Sequence, residues 1–292
     1  MTQSALSSVL LVLTFPDLNP VAVAIGPIQV RWYGLAYMAG LLFGWCYIRN
    51  LVGAPQRWGN ASPPFPPAAV DDLLLYMTIG VIVGGRLGQV LLYEPGAYYR
   101  DPLEIFRLWH GGMAFHGALL ASGLAIYMFA ERHHTSFLST MDLCAAAMPV
   151  GQLLGRLANF INGELWGRPT DVPWAMVFPS AARDFPDLEP IGRHPSQLYE
   201  AAIEGLLLFA VLRYMTHQRG SLRYPGLTTG IFLVGMALAR SFCELFREPD
   251  VVRLLSSISL TPGQAYSLPM GLLGLHLMAR SRRKRPEAAD RS

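Results

Sequence analysis

Lysine is all but missing from this 292-residue chain: Lys284 stands alone beside 22 arginines, and the net charge at neutral pH is only +3. So small and scattered an excess excludes a nucleic-acid-binding surface. Charge of either sign is scarce, at 15% of residues, against roughly a quarter in soluble domains, while 52% of residues are hydrophobic. Cysteine is scarce as well. Cys46, Cys144 and Cys243 form no CxxC or metal-ligand spacing, and each falls in an apolar run. That excludes a disulfide scaffold and predicts small core side chains. No HExxH occurs, and neither metal nor cofactor is expected. No Lys or Arg precedes Arg31, so the first fifteen residues do not open as a secretory signal does. They are expected to form an uncleaved interfacial segment.

The chain has instead long apolar runs, which define an integral membrane protein. Seven candidate spans cover residues 28–50, 68–93, 111–130, 137–161, 196–215, 226–247 and 263–280. The expected fold is an all-α polytopic membrane protein, a single membrane domain over residues 1–292. A small irregular cap at 162–195 follows span four, and a basic tail occupies 281–292. Basic residues around 280–285 directly after an apolar helix mark a cytoplasmic end. With seven spans the cytoplasmic segments then hold 12 Lys and Arg and the outer segments seven, which orients the N-terminus outward. Gly80, Gly84 and Gly88 recur every fourth residue, as do Gly40/Gly44, Gly151/Gly155 and Gly226/Gly230. Small residues at this spacing let helix backbones approach in lipid.

Four arginines fall within the spans: Arg31, Arg86, Arg156 and Arg240. Each costs about 2.5–3.5 kcal/mol at a helix centre unless paired or hydrated. Arg31 is near enough to a span end to snorkel. The other three come out five to seven residues below the outer ends of spans two, four and six, roughly 7–11 Å. His116 on span three, Tyr33 on span one and Glu200 on span five reach the same layer. Arg156 and Asn159 are three apart, and Arg240 and Glu244 four apart, so each pair shares a helix face. Internal ion pairing that joins helices is one reading of such residues, and for Arg86 it is as good as any other. For Arg156 and Arg240 the sharper reading is a phosphate site at headgroup depth, since each guanidinium presents a planar fork of donors. His116 is either a satisfied core histidine or a base near neutral pH.

The run Gly155–Gly167 (GRLANFINGELWG) resembles the signature of the bacterial prolipoprotein diacylglyceryl transferase family. So do Trp32-Tyr33-Gly34, the stretch His110–Gly117, the block Arg193–Glu200 (RHPSQLYE) and Phe246–Asp250 (FREPD), in the expected order from about Gly26 to Pro269. The resemblance implies a seven-helix inner-membrane enzyme with a periplasmic cap, a periplasmic N-terminus, a cytoplasmic C-terminus and an active site towards the periplasmic leaflet. Such enzymes move the diacylglyceryl group of phosphatidylglycerol onto the lipobox cysteine of a prolipoprotein, forming a thioether and releasing glycerol phosphate. The implied partners are phosphatidylglycerol, a prolipoprotein signal peptide and membrane lipid, with no nucleic acid. The family's functional residues fall on Tyr33, His116, Arg156, Asn159, Glu164, Gly167, Arg240 and Glu244. Of these, His116, Arg156 and Arg240 are the expected catalytic residues, and all but His116 are expected to bind substrate. Arg156 and Arg240 would neutralise the phosphate, Asn159 and Glu164 orient headgroup hydroxyls, Glu244 hold Arg240, and Tyr33 donate to the phosphate. A membrane anion or lipid transporter using the same arginines is the competing class, and a lipid-binding subunit without catalysis is another.

Overall fold

A computed structural model describes residues 13–283 apart from 17, 27, 61, 108–110, 185–190 and 249–260. His110, Pro249, Asp250, most of the N-terminal fifteen residues and most of the basic tail lie outside the described residues. The elements are β1 (Leu13–Thr14), β2 (Val21–Ile25), β3 (Ile28–Arg31), α1 (Trp32–Val52), α2 (Ala69–Gly88), α3 (Pro95–Arg100), α4 (Phe115–Arg132), α5 (Phe137–Ile161), β4 (Met176–Val177), α6 (Pro179–Asp184), α7 (Ser196–Glu200), α8 (Leu208–His217), α9 (Leu227–Cys243) and α10 (Pro262–Arg283). A π-helical turn, Gln89–Tyr93, prolongs α2, and a second, Ala201–Leu207, joins α7 to α8. Helix therefore falls within every one of the seven apolar ranges. Three of these helical stretches, Trp32–Val52, Ala69–Tyr93 and Phe137–Ile161, are long and apolar enough to cross a membrane, and α9 is a shorter apolar helix.

The fold is mostly helical rather than all-α. β2 and β3 pair antiparallel, and β1 pairs parallel with β4. Span one accordingly begins at Trp32, not at residue 28, because Ile28–Arg31 is a strand. Arg31 thus belongs to the hairpin, paired with Val21, and is exposed there instead of snorkelling from a helix. A hairpin satisfies these backbone groups across two strands.

Packing divides the chain into two compact units. The first comprises residues 1–40, 148–213 and 230–277, and the second residues 41–147, 214–229 and 278–292. In the second unit α2 and α4 meet along the glycine stripe. A Cβ on Gly80 would stand 2.9 Å from the Ala125 Cβ, and one on Gly88 2.8 Å from the Gly117 Cα. The four-residue spacing is thus a backbone-to-backbone contact. Asp71 and Asp72 occupy the first turn of α2, where the helix dipole favours acid. Asp142, fully buried, accepts from the Gly226 and Thr229 backbone N–H groups and the Thr229 hydroxyl, all at 2.7 Å. It satisfies the free donors at the start of α9.

In the first unit Leu208, Leu212 and Met236 form a buried core with Ile231, Phe232 and Met270 packed on it. A Cβ on Gly274 would stand 2.8 Å from the Gly230 carbonyl, so α9 and α10 approach closely. Gly155, by contrast, has open space beside it and marks no helix contact. The segment between α5 and α7 carries β4 and α6 and is tied by backbone bridges from Gly167 to Arg247 and from Arg193 to Pro169 and Met176. Among the cysteines, Cys243 is buried, Cys144 half-buried and Cys46 exposed, so Cys46 is not the core side chain expected of it.

Candidate active site

Helix α5 ends where Gly163 and Leu165 both take positive φ, +67° and +58°. Glycine adopts that region freely, but a leucine there is strained by about 1–2 kcal/mol. The following block holds the strained turn in place. The Ser196 hydroxyl donates to the Leu165 carbonyl at 3.0 Å, and Gln197 Nε2 donates to the Glu164 carbonyl at 2.6 Å. The turn delivers the Glu164 side chain back to its own helix, where Asn159 Nδ2 donates to Glu164 Oε1 at 2.8 Å. Asn159 also reaches the Tyr33 hydroxyl at 3.4 Å, and the Tyr33 and Tyr37 rings pack at 5.2 Å. Three expected site residues, Tyr33, Asn159 and Glu164, are therefore one polar chain.

Next to it in the same unit lies a cluster of three arginines and three glutamates. Glu200 and Glu204, both fully buried, stand four apart across the start of the π-helical turn, on one face of their helix. Glu200 is the hub. Its Oε1 accepts from Arg240 Nη1 and Arg247 Nη1, each at 2.9 Å, and its Oε2 lies 3.2 Å from Arg156 Nε. Glu204 is held more loosely, 3.5 Å from Arg156 Nη2 and 3.8 Å from Arg240 Nη1. Glu244 lies 3.4 Å from Arg240 Nε and 3.8 Å from Arg247 Nε. The charges cancel three against three. Buried ion pairs of this kind contribute little net stability because desolvation offsets the attraction, whereas removing one partner costs about 3–5 kcal/mol.

The pairing leaves donors over. Arg156 Nη1 and Arg240 Nη2 take part in no ion pair or hydrogen bond among the described residues, and the two side chains are 18% and 21% exposed. Arg247 is held further, with its carbonyl accepting from Arg168 Nε at 2.7 Å. Above it Arg193 stacks 4.1 Å over the Trp166 ring and donates to Glu248 at 2.7 Å. Trp174 Nε1 donates to the Tyr199 hydroxyl at 2.6 Å, itself 3.1 Å from His194 Nδ1. Burial lowers the His194 pKa below its usual value, so the ring is neutral at pH 7.

His116, an expected site residue, and Arg86, whose role the sequence left open, belong to the second unit. His116 is exposed, with Nδ1 3.0 Å from the Tyr93 hydroxyl at the end of the first π-helical turn. Arg86, only 4% exposed, donates to five backbone carbonyls: Ile105 at 2.9 Å, Gly112 at 3.1 Å, Arg107 at 3.3 Å, and those of Glu104 and Gly111. It also stacks 5.0 Å from the Tyr98 ring. This guanidinium organises the loop ahead of His116 and is fully occupied in doing so. Sequence reasoning singled out Glu200 but gave it no role, and it passed over Glu204 and Arg247. Glu204 had a signal, since it stands one helical turn after Glu200 in an apolar run; Arg247 lay in the FREPD block, counted there as an outer residue.

Long apolar helices with an ion cluster buried among them mark a polytopic membrane protein. The family described as prolipoprotein diacylglyceryl transferase matches residues 20–280 of the chain. Phosphatidylglycerol–prolipoprotein diacylglyceryl transferases from Rhizobium meliloti (strain 1021), Methylocella silvestris and Beijerinckia indica are 47%, 48% and 48% identical to it. The alignments cover 94%, 92% and 96% of this chain and 95%, 95% and 99% of the relatives. The chain belongs to the prolipoprotein diacylglyceryl transferase family.

Proposed function

We infer that the chain transfers the diacylglyceryl group of phosphatidylglycerol to the lipobox cysteine thiol of a prolipoprotein. The observation that carries the site assignment is the leftover donor on each of Arg156 and Arg240, two guanidiniums fixed by one carboxylate. A phosphate oxygen bound to each would complete their hydrogen bonding without dismantling the cluster. In the reaction the substrate thiolate attacks the glyceryl carbon and the carbon–oxygen bond breaks towards phosphorus. The leaving glycerol phosphate keeps the electron pair. Negative charge grows on the leaving oxygen, and guanidiniums already in place stabilise it more than they stabilise the ground state.

The remaining roles follow from the same arrangement. Tyr33 donates to the phosphate, while Asn159 and Glu164 orient the headgroup hydroxyls, the pair being pre-aligned by their mutual hydrogen bond. Glu244 holds Arg240 by its Nε edge. Gly167 leaves room for the chain segments that meet behind the site. A cysteine thiol has pKa near 8.5 and is only slightly ionised at neutral pH, so a base is required. In this reading His116 donates Nδ1–H to Tyr93 and takes the thiol proton on Nε2. Seven membrane-spanning helices, with the N-terminus periplasmic, the C-terminus cytoplasmic and the site in the periplasmic leaflet of the inner membrane, complete the reading. The arginine distribution supports that orientation.

The test is to incubate purified protein in detergent with phosphatidylglycerol and a lipobox-cysteine peptide. A diacylglyceryl mass gain on the cysteine with equimolar glycerol phosphate is expected. Folded protein that yields no adduct overturns the catalytic reading.

A further inference from the structure

Glu204 is one of the loosely held members of the ion cluster. Neither of its carboxylate oxygens accepts a hydrogen bond among the described residues, and its ion pairs, at 3.5 and 3.8 Å, are the long ones beside the 2.9–3.2 Å contacts of Glu200. It is nonetheless fully buried. A carboxylate in that position is there for its charge, because it makes no bond that a neutral side chain would miss.

Charge counting says when that becomes important. The empty cluster balances, with Arg156, Arg240 and Arg247 against Glu200, Glu204 and Glu244. A phosphate diester entering between Arg156 and Arg240 brings one further negative charge into a site walled by apolar helices. An uncompensated charge there costs several kcal/mol unless a proton follows it. The groups facing Glu204 narrow the choice of acceptor. Glu200 is locked to three guanidiniums; Glu244, at 3.4 and 3.8 Å from Arg240 and Arg247, is held about as loosely as Glu204, but only one of its oxygens, against both of Glu204's, is buried without a hydrogen bond. Arg156 comes from α5, Arg240 and Cys243 from α9, and Tyr37 on α1 faces Arg156. Protonating Glu204 breaks no hydrogen bond. The π-helical turn that carries it is wedged against α5, since a Cβ on neighbouring Gly205 would stand 2.8 Å from the Leu153 Cα.

We propose that Glu204 is the proton-exchanging member of the cluster: ionised while the site is empty, it takes one proton from solvent as the lipid phosphate settles between Arg156 and Arg240. The six side chains and the diester then stay neutral together. The proposal rests on the phosphate reading of the two arginines. It also bears on release of the product, for the departing phosphate monoester carries a second ionisation, with pKa near 6. Doubly charged product overfills a site balanced for one negative charge, and it is expelled.

Titration calorimetry of the full-length protein in detergent with short-chain phosphatidylglycerol tests this, run from about pH 5 to pH 9 in buffers of different ionisation enthalpy. Wild type is expected to take up protons on binding, approaching one per lipid at the maximum, with an apparent Kd that rises with pH by up to tenfold per unit over the same pH range. In Glu204→Gln uptake vanishes and Kd becomes independent of pH, an outcome that a packing role would not produce. Wild-type binding with no uptake at any pH overturns the proposal, whether or not the variant folds. So does uptake that persists in Glu204→Gln, which assigns the proton to another group such as His116. If Arg156→Ala and Arg240→Ala bind the lipid as wild type does, the phosphate reading itself fails, and the two failures are told apart.

Discussion

Gly167 donates its backbone N–H to the His194 carbonyl at 2.9 Å, and a Cβ on Gly167 would stand 2.8 Å from the His194 Cβ. The Phe246 carbonyl closes in from the other side. Three separate parts of the chain thus meet at a point with no room for a methyl group. Gly167→Ala is expected to cost about 1–3 kcal/mol through overpacking, seen as a lower Tm in detergent. Turnover should fall as well, because Arg247 pairs with Gly167 across that point.

Arg156→Lys keeps the charge but replaces a fork that spans Glu200 and Glu204 with a single point. Turnover with phosphatidylglycerol should drop at least ~10-fold while the protein remains folded. An unchanged rate would remove the bidentate-phosphate role.

His116→Gln should cost at least ~100-fold in rate if the imidazole takes the thiol proton. Tyr93→Phe, which removes only the hydroxyl 3.0 Å from Nδ1, should cost less. Measuring both rates against pH separates a base from a packing residue, since only loss of a base abolishes the acidic limb of the profile.

Arg86→Gln strips partners from five backbone carbonyls at once. Hydrogen bonds to a charged donor contribute about 1.5–3 kcal/mol each, so a loss of at least ~3 kcal/mol is expected. Faster proteolysis between residues 102 and 112 would report it, ahead of any change in lipid affinity.

Replacing Cys46, Cys144 and Cys243 together should leave diacylglyceryl transfer largely intact, because the peptide substrate brings the nucleophile. Complete loss in a folded triple variant would point to a covalent intermediate on the enzyme.

The apolar runs located the helices well because length and hydropathy are local properties, and the glycine stripe of α2 announced its contact with α4 because spacing on one helix is local too. Arg156 and Arg240 were legible as costly residues that required a reason. What could not be read was who their partners are. Glu200 joins arginines 44, 40 and 47 positions away. Nothing in periodicity distinguishes that hub from Glu204 four residues on. The hairpin before α1 escaped for a different reason: β3 is four residues long and abuts α1, so it merged with the helical run that follows. The carbonyl cage of Arg86 was equally hidden, since backbone acceptors carry no residue signature.

The order in which the cluster's members are synthesised follows from their positions. Arg156 is made before any of the carboxylates that pair with it, and Arg247 comes 91 residues later. During insertion α5 therefore bears an unmatched cation in lipid, about 2.5–3.5 kcal/mol uphill, until the helix carrying Glu200 arrives beside it. The same later helix brings Ser196 and Gln197 to the turn that ends α5. A nascent chain thus lacks part of the cluster until its penultimate hydrophobic segment, with Arg240, has emerged, while the unmatched charge of Arg156 draws the helix of Glu200 to its place.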